Sequence, residues 1–177
     1  MKKEALEVLY NRRSIRKFKP KQIKDEELDA VLKAGVYAPT AMGLQTPLIV
    51  AVQNPEDVAT LNRLSAAVSQ RGGSPYYGAP TIILVFYTER AMNDLFGTID
   101  TSAVTTNMLN AAYALGLGSC WIHRCHEIFE SDEGKALLKK WNINEPVTGV
   151  ASIALGYADM PNPEPKPRRE GYIVKIK

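Results

Sequence analysis

The 177-residue sequence predicts one domain of mixed helices and strands over residues 1–177, and three observations carry that expectation. Hydrophobic residues make up 45% of the chain and charged residues 23%, the balance of a protein that buries a core rather than staying disordered. The run Thr81–Tyr87 is rich in β-branched residues and apolar on both faces, which suits a central strand covered above and below. The stretch Thr98–Leu115 carries few charges, with Val104, Met108, Ala111, Ala112 and Leu115 along one face and small residues such as Ser102, Ala103 and Ala114 elsewhere. A helix apolar nearly all round is buried or lies in a subunit interface.

The remaining elements follow from periodicity and punctuation. Leu6, Leu9 and Tyr10 share a face of a short helix over Lys3–Asn11. Asp25 is an N-cap candidate for a second helix, whose buried stripe is Leu28, Val31, Leu32 and Val36 and which Pro39 stops. A flexible loop, Thr40–Gln45, leads to an apolar strand over Leu48–Val52. Asn54-Pro55-Glu56 opens a third helix, with proline in its first turn. Arg71–Pro80 is loop. Asp100 and Thr101 sit near the start of the long helix, and Gly116-Leu117-Gly118 ends it. Ser119–Ile122 is a short strand, Asp132–Trp141 a helix and Val147–Leu155 a strand. A proline-rich tail, Pro161–Pro167, runs to a last strand at Tyr172–Ile176, an arm suited to a distant sheet edge or that of another subunit.

Several function classes are excluded early. A net charge of +3 gives no field to steer the chain to nucleic acid, and aromatics are not interleaved with the basic residues. No apolar run reaches membrane-spanning length and the start has no signal-peptide pattern, so a cytoplasmic location is expected. Cys120 and Cys125 are too few and too close for a disulfide framework. With His123 and His126 they form a dense run, Cys120–His126, whose spacing matches no zinc pattern, so no metal is expected.

The chemistry concentrates at the two ends. Arg12-Arg13-Ser14-Ile15-Arg16 and Lys166-Pro167-Arg168-Arg169 each set guanidinium groups beside hydroxyl or turn residues. Arginine forks, serine and backbone N–H groups are what a phosphate monoester requires. Either each is a solvated basic turn, or the fold joins them into one dianion site. The loop Pro39–Pro47, with Gln45 as donor and acceptor, either reads a heterocycle edge or simply connects helix to strand. No Ser-His-Asp, Cys-His, GxGxxG or P-loop arrangement is present, and enzymes without acid–base machinery often leave their chemistry to a cofactor.

Taken in order, Asn11–Phe18, Ala38-Pro39-Thr40-Ala41 with Gln45, Tyr77-Gly78-Ala79-Pro80, Leu115–Ile122 and Leu155-Gly156-Tyr157 with Lys166-Pro167-Arg168 resemble the nitroreductase family of flavin enzymes over nearly the whole chain. The resemblance implies an α+β fold: a mixed, mostly antiparallel sheet flanked by helices, in a homodimer with exchanged arms and two FMN molecules at the interface. It implies that Arg12, Ser14, Lys166 and Arg168 hold the phosphate and ribityl chain, with Arg13 acting mainly through its backbone. Arg16 would reach the pyrimidine end of the ring or the ribityl. Pro39, Thr40, Ala41, Met42 and Gln45 would come from the partner. Trp121, Ile122, His123 and Arg124 would lie along the isoalloxazine, with the N–H of His123 or Arg124 facing N5.

The same resemblance implies an oxidoreductase that takes hydride from NADH or NADPH and reduces nitroaromatics, quinones or related small acceptors in a ping-pong cycle. The alternatives are a flavin reductase with a dedicated substrate (dehalogenase, enoate or free-flavin reductase) and a flavin-binding protein without turnover. Gly43 stands where members often have Asn, and His123 where many have Gly or an acid. The chain is also short for the family, which implies little cover over the flavin.

Overall fold

The computed structural model describes residues 4–69 and 73–177; Lys3 of the expected first helix and Arg71 and Gly72 of the expected loop lie outside them. In chain order the elements are α1 (Ala5–Asn11), α2 (Asp25–Val36), a 3-10 turn (Ala41–Gly43), β1 (Pro47–Val52), α3 (Pro55–Ser69), β2 (Thr81–Thr88), α4 (Asp94–Ala114), β3 (Gly118–Ile122), α5 (Cys125–Glu130), α6 (Asp132–Lys140) and β4 (Val147–Gly156). The strands form an antiparallel sheet in the order β1-β2-β4-β3. The parallel contribution is a single bridge, Ser14 to Ser119, on the outer edge of β3.

The central strand explains the two-layered core. Every residue of β2 is buried, and its side chains alternate between faces. Ile82, Leu84 and Phe86 join Leu61 and Leu64 of α3, Ile128 and Phe129 of α5 and Leu137 of α6. Ile83 and Val85 join Leu28 and Val31 of α2 and Val104, Met108 and Leu109 of α4 on the other face. Phe86 meets Phe129 edge-to-face at 4.9 Å. Asp57 of α3, itself buried, accepts from Lys140 Nζ at 2.6 Å and Trp141 Nε1 at 3.0 Å, which pins α3 to the end of α6.

Three elements depart from the sequence expectations. The N-cap of α2 is Lys24, not Asp25; the Glu27 carboxylate accepts from the Lys24 N–H at 2.9 Å, and Asp25 opens the acidic first turn. Helix α4 starts at Asp94 rather than Thr98, because the Asn93 side chain caps it by accepting from the Phe96 N–H. Asp100 and Thr101 therefore lie buried within the helix, not at its start. Gly97 is in the added turn because the Tyr87 ring crosses there: a Cβ would stand 2.5 Å from it. Tyr172–Ile176 is not a strand, since none of the described residues pairs with it, and Ile173, Val174 and Ile176 are exposed. Among the described residues no helix is long and apolar enough to cross a membrane.

Candidate cofactor site

The edge of β3 positions the first basic segment. After α1 the chain turns extended at Arg12 (φ −59°, ψ 131°), and the Ile15 N–H donates to the Ser119 carbonyl at 3.0 Å. Ile15 is buried against Gly118, where an added Cβ would stand 3.0 Å from its side chain. Alternation along an extended segment then sends Arg12, Ser14 and Arg16 to a common side, and all three act on the Cys120 thiol. Burial pushes that thiol's pKa up, while Arg16, Ser14 and Arg12 oppose the rise.

Arg13 takes a different course. Its Nη1 donates to the carbonyls of Tyr10 at 2.9 Å and Arg12 at 2.7 Å, folding the side chain onto the end of α1. Arg12 is half-buried and has no carboxylate partner among the described residues; burial, and then Arg13 beside it, pull its pKa below the ordinary arginine value. A desolvated, unpaired guanidinium is costly unless an anion completes it. That is the first sign that the site fits a phosphate.

At its other end β3 opens into a cavity of about 350 Å³ lined by Ser65 and Ser69 of α3, Tyr77, Trp121, His123 and Arg124. Arg124 is in the left-handed region (φ 89°) and pairs with Glu127 at 2.8 Å. The backbone N–H groups of His123 and Arg124 donate to no other described residue. The Trp121 Nε1 and Ser119 hydroxyl are buried without partners, and the Ser65 hydroxyl lies against Tyr76 outside ordinary hydrogen-bond geometry. The free His123 and Arg124 N–H groups beside this cavity fit the polar edge of a heterocycle.

The tail approaches the first segment but not through its basic residues. The Arg16 N–H points at the Met160 sulfur at 3.3 Å, and Asn162 Nδ2 donates to the Asn11 carbonyl at 2.8 Å. Lys166 and Arg168 lie exposed beyond that anchor. The loop 39–45 stands elsewhere. Met42, Gly43 and Gln45 all have positive φ (53°, 66° and 52°). The loop is held by the Ala41 N–H donating to buried Asp100 at 2.9 Å and the Gln45 N–H donating to Thr40 Oγ1 at 3.1 Å. Within one chain no hydrogen bond or ion pair joins Pro39–Gln45 to Trp121–Arg124 among the described residues. Ser65 and Ser69 were not legible as lining residues, although their spacing puts them on one helix face. Asp100, as the anchor of the loop, was equally hidden.

The α+β chain thus carries, along the edge strand β3, an arginine without a carboxylate partner among the described residues at one flank and free N–H donors beside a cavity at the other end. Residues 9–157 match the nitroreductase family model, and the chain belongs to the nitroreductase family. It is 31% identical over 155 residues to a protein of Archaeoglobus fulgidus named as an NADH dehydrogenase/NAD(P)H nitroreductase, covering 87% of this chain and 85% of that one. It is 27% identical to an NADPH-flavin oxidoreductase of Vibrio harveyi over 191 residues, covering 96% of this chain and 72% of that protein. A nitroreductase crystal structure with bound FMN from Bacteroides fragilis superposes with a TM-score of 0.88 at 29% identity, over 99% of this chain and 100% of that one.

Proposed function

We propose that this chain is an FMN-dependent oxidoreductase that draws electrons from NADH or NADPH and delivers them, in a ping-pong cycle, to nitroaromatic, quinone or related acceptors. The observation that carries it is the pairing, along one short strand, of an uncompensated arginine cluster with two free backbone donors beside a ring-sized cavity. The relatives named for NAD(P)H and flavin, and the FMN-bound neighbour, support the same cofactor pair.

Bound FMN supplies the hydride-accepting ring. The chain's share is to bind, orient and tune it. Arg12 and Ser14, with Lys166 and Arg168 from the tail, meet the phosphate and ribityl, while Arg13 fixes the turn. Arg16 sets a cation toward the pyrimidine end, where negative charge grows on reduction. The His123 or Arg124 N–H meets N5. No side chain at the cavity is needed as a proton donor, because the cavity opens to water.

The working form is a homodimer. Leu6, Leu9 and Tyr10 of α1, Val36 at the end of α2 and Tyr37 after it, and Leu95 and Ile99 of α4 are exposed apolar side chains in need of cover. A partner would bring Pro39–Gln45 to this chain's ring and would give the arm at Tyr172–Ile176 a sheet edge. The test is the visible spectrum of the purified protein with FMN. Bands of bound flavin that bleach with anaerobic NADH or NADPH and return on adding a nitroaromatic or quinone are expected. A protein that stays colourless, or a bound flavin that neither nicotinamide reduces, would refute the proposal.

A further inference from the structure

Behind the free donors at the end of β3 lies a buried relay that the cofactor site does not itself require. Tyr76 and Ser152 are fully buried, one in the loop before β2 and the other on β4 directly opposite Ile122. The Tyr76 and Ser152 hydroxyls stand 3.1 Å apart, and Ser152 Oγ donates to the Ile122 carbonyl at 3.1 Å. A serine has one proton to give. Because it goes to Ile122, the proton between the two hydroxyls belongs to Tyr76, and the chain of donation has one direction: Tyr76 to Ser152 to Ile122. Burial raises the Tyr76 pKa, so the donor stays protonated at any working pH.

The Ile122 carbonyl and the His123 N–H are two ends of one peptide group. A hydrogen bond accepted by the carbonyl draws electron density along the amide and makes its N–H a stronger donor. Each such bond strengthens the next by about a tenth to a third. We infer that Tyr76 and Ser152 are positioning residues that polarise the Ile122–His123 peptide toward the flavin, selecting the His123 N–H over that of Arg124 as the group that meets N5. This rests on the proposed placement of N5 at the end of β3. Arg124 lacks the relay, because its N–H belongs to the next peptide. The sequence offers no hint of this, since Ile122 and Ser152 meet only through the sheet register and Tyr76 reaches them from a loop.

The test uses the FMN-loaded protein, with nitrogen-15 in the backbone and at N5 of the flavin, and compares wild type with Tyr76→Phe and Ser152→Ala. The readouts are the N5 nitrogen resonance and the His123 amide proton resonance. Both are expected to move toward values for a weaker hydrogen bond, N5 toward its position in an aprotic solvent. Ser152→Ala, which removes the bond to the carbonyl, should move them further than Tyr76→Phe, which removes only the bond behind it. Tyr76→Phe keeps the ring packing and decides the matter alone if Ser152→Ala does not fold. A hydrogen-bonded N5 in wild type that stays put in the variants, or a shift at the Arg124 amide instead, would overturn the relay alone. A wild-type N5 already at its aprotic value would overturn the relay and the placement of the ring together.

Discussion

Arg12→Ala should separate cofactor binding from folding, with opposite signs. In the FMN-free chain the Arg12 guanidinium is half-buried, pairs with no carboxylate among the described residues and is repelled by Arg13. Its removal therefore relieves a desolvated charge and breaks no ion pair, and apo stability should hold or rise slightly. In the proposed FMN complex the same group would make a charge-assisted bond to phosphate, worth about 1.5–3 kcal/mol. Its loss should weaken FMN binding by about 10- to 150-fold. The assay is fluorescence titration of FMN beside urea denaturation of the apo-protein, both repeated at raised salt. The wild-type affinity should fall with salt more steeply than that of the variant. An apo-protein destabilised by more than about 1 kcal/mol, or an affinity within threefold of wild type, would show that Arg12 serves the fold and not a phosphate.

Asp57→Ala should cost about 1–3 kcal/mol in urea denaturation, because it strands the Trp141 N–H and frees Lys140. The bonds from Lys140 and Trp141 hold the folded Asp57 pKa below the ordinary aspartate value. Its contribution is thus complete above the unfolded pKa and disappears as pH falls through the folded one, so Asp57→Asn should flatten the acid limb of the stability profile. Gly97→Ala drives a methyl into the Tyr87 ring and should lower stability by about 1–3 kcal/mol, read as a shift in urea midpoint without a change in slope. Deleting residues 171–177 should leave the helix content of a single chain unchanged by circular dichroism while weakening self-association in sedimentation. Unaltered association would remove the arm from the proposed dimer.

What was legible in the sequence follows the range of the interaction. The run of β2 was readable because a strand buried on both sides leaves no polar alternation. The helix α5 was not, since Cys125–Glu130 is too short for a period to show and its side chains sit in a core shared with α3 and α6. The start of α4 was hidden because Gly97 reads as a breaker and its reason, the Tyr87 ring, lies across the fold. Tyr172–Ile176 has the composition of a strand but no neighbour within one chain to complete it. Arg12, Ser14 and Arg16 stand out as candidates through local chemistry alone, since a basic, hydroxyl-bearing run is visible in the sequence. Ser65, Asp100 and the pair Tyr76–Ser152 acquire their places only when helix packing and strand register set distant residues side by side.

The outer side of β1 has a bearing on the life of the newly made chain. Its inner side is zipped to β2 from Pro47↔Tyr87 to Val52↔Ile82, while its outer N–H and C=O groups meet no strand among the described residues. Only Pro47, which has no N–H, interrupts that row, and no charge follows it through Leu48-Ile49-Val50-Ala51-Val52. During synthesis such a border recruits any extended apolar segment within reach, so ordered pairing competes with runaway cross-β association. The winner is set by local concentration and temperature. Slow production in the cold should favour soluble product, and a lysine placed outward on β1 should act as a gatekeeper against inclusion bodies.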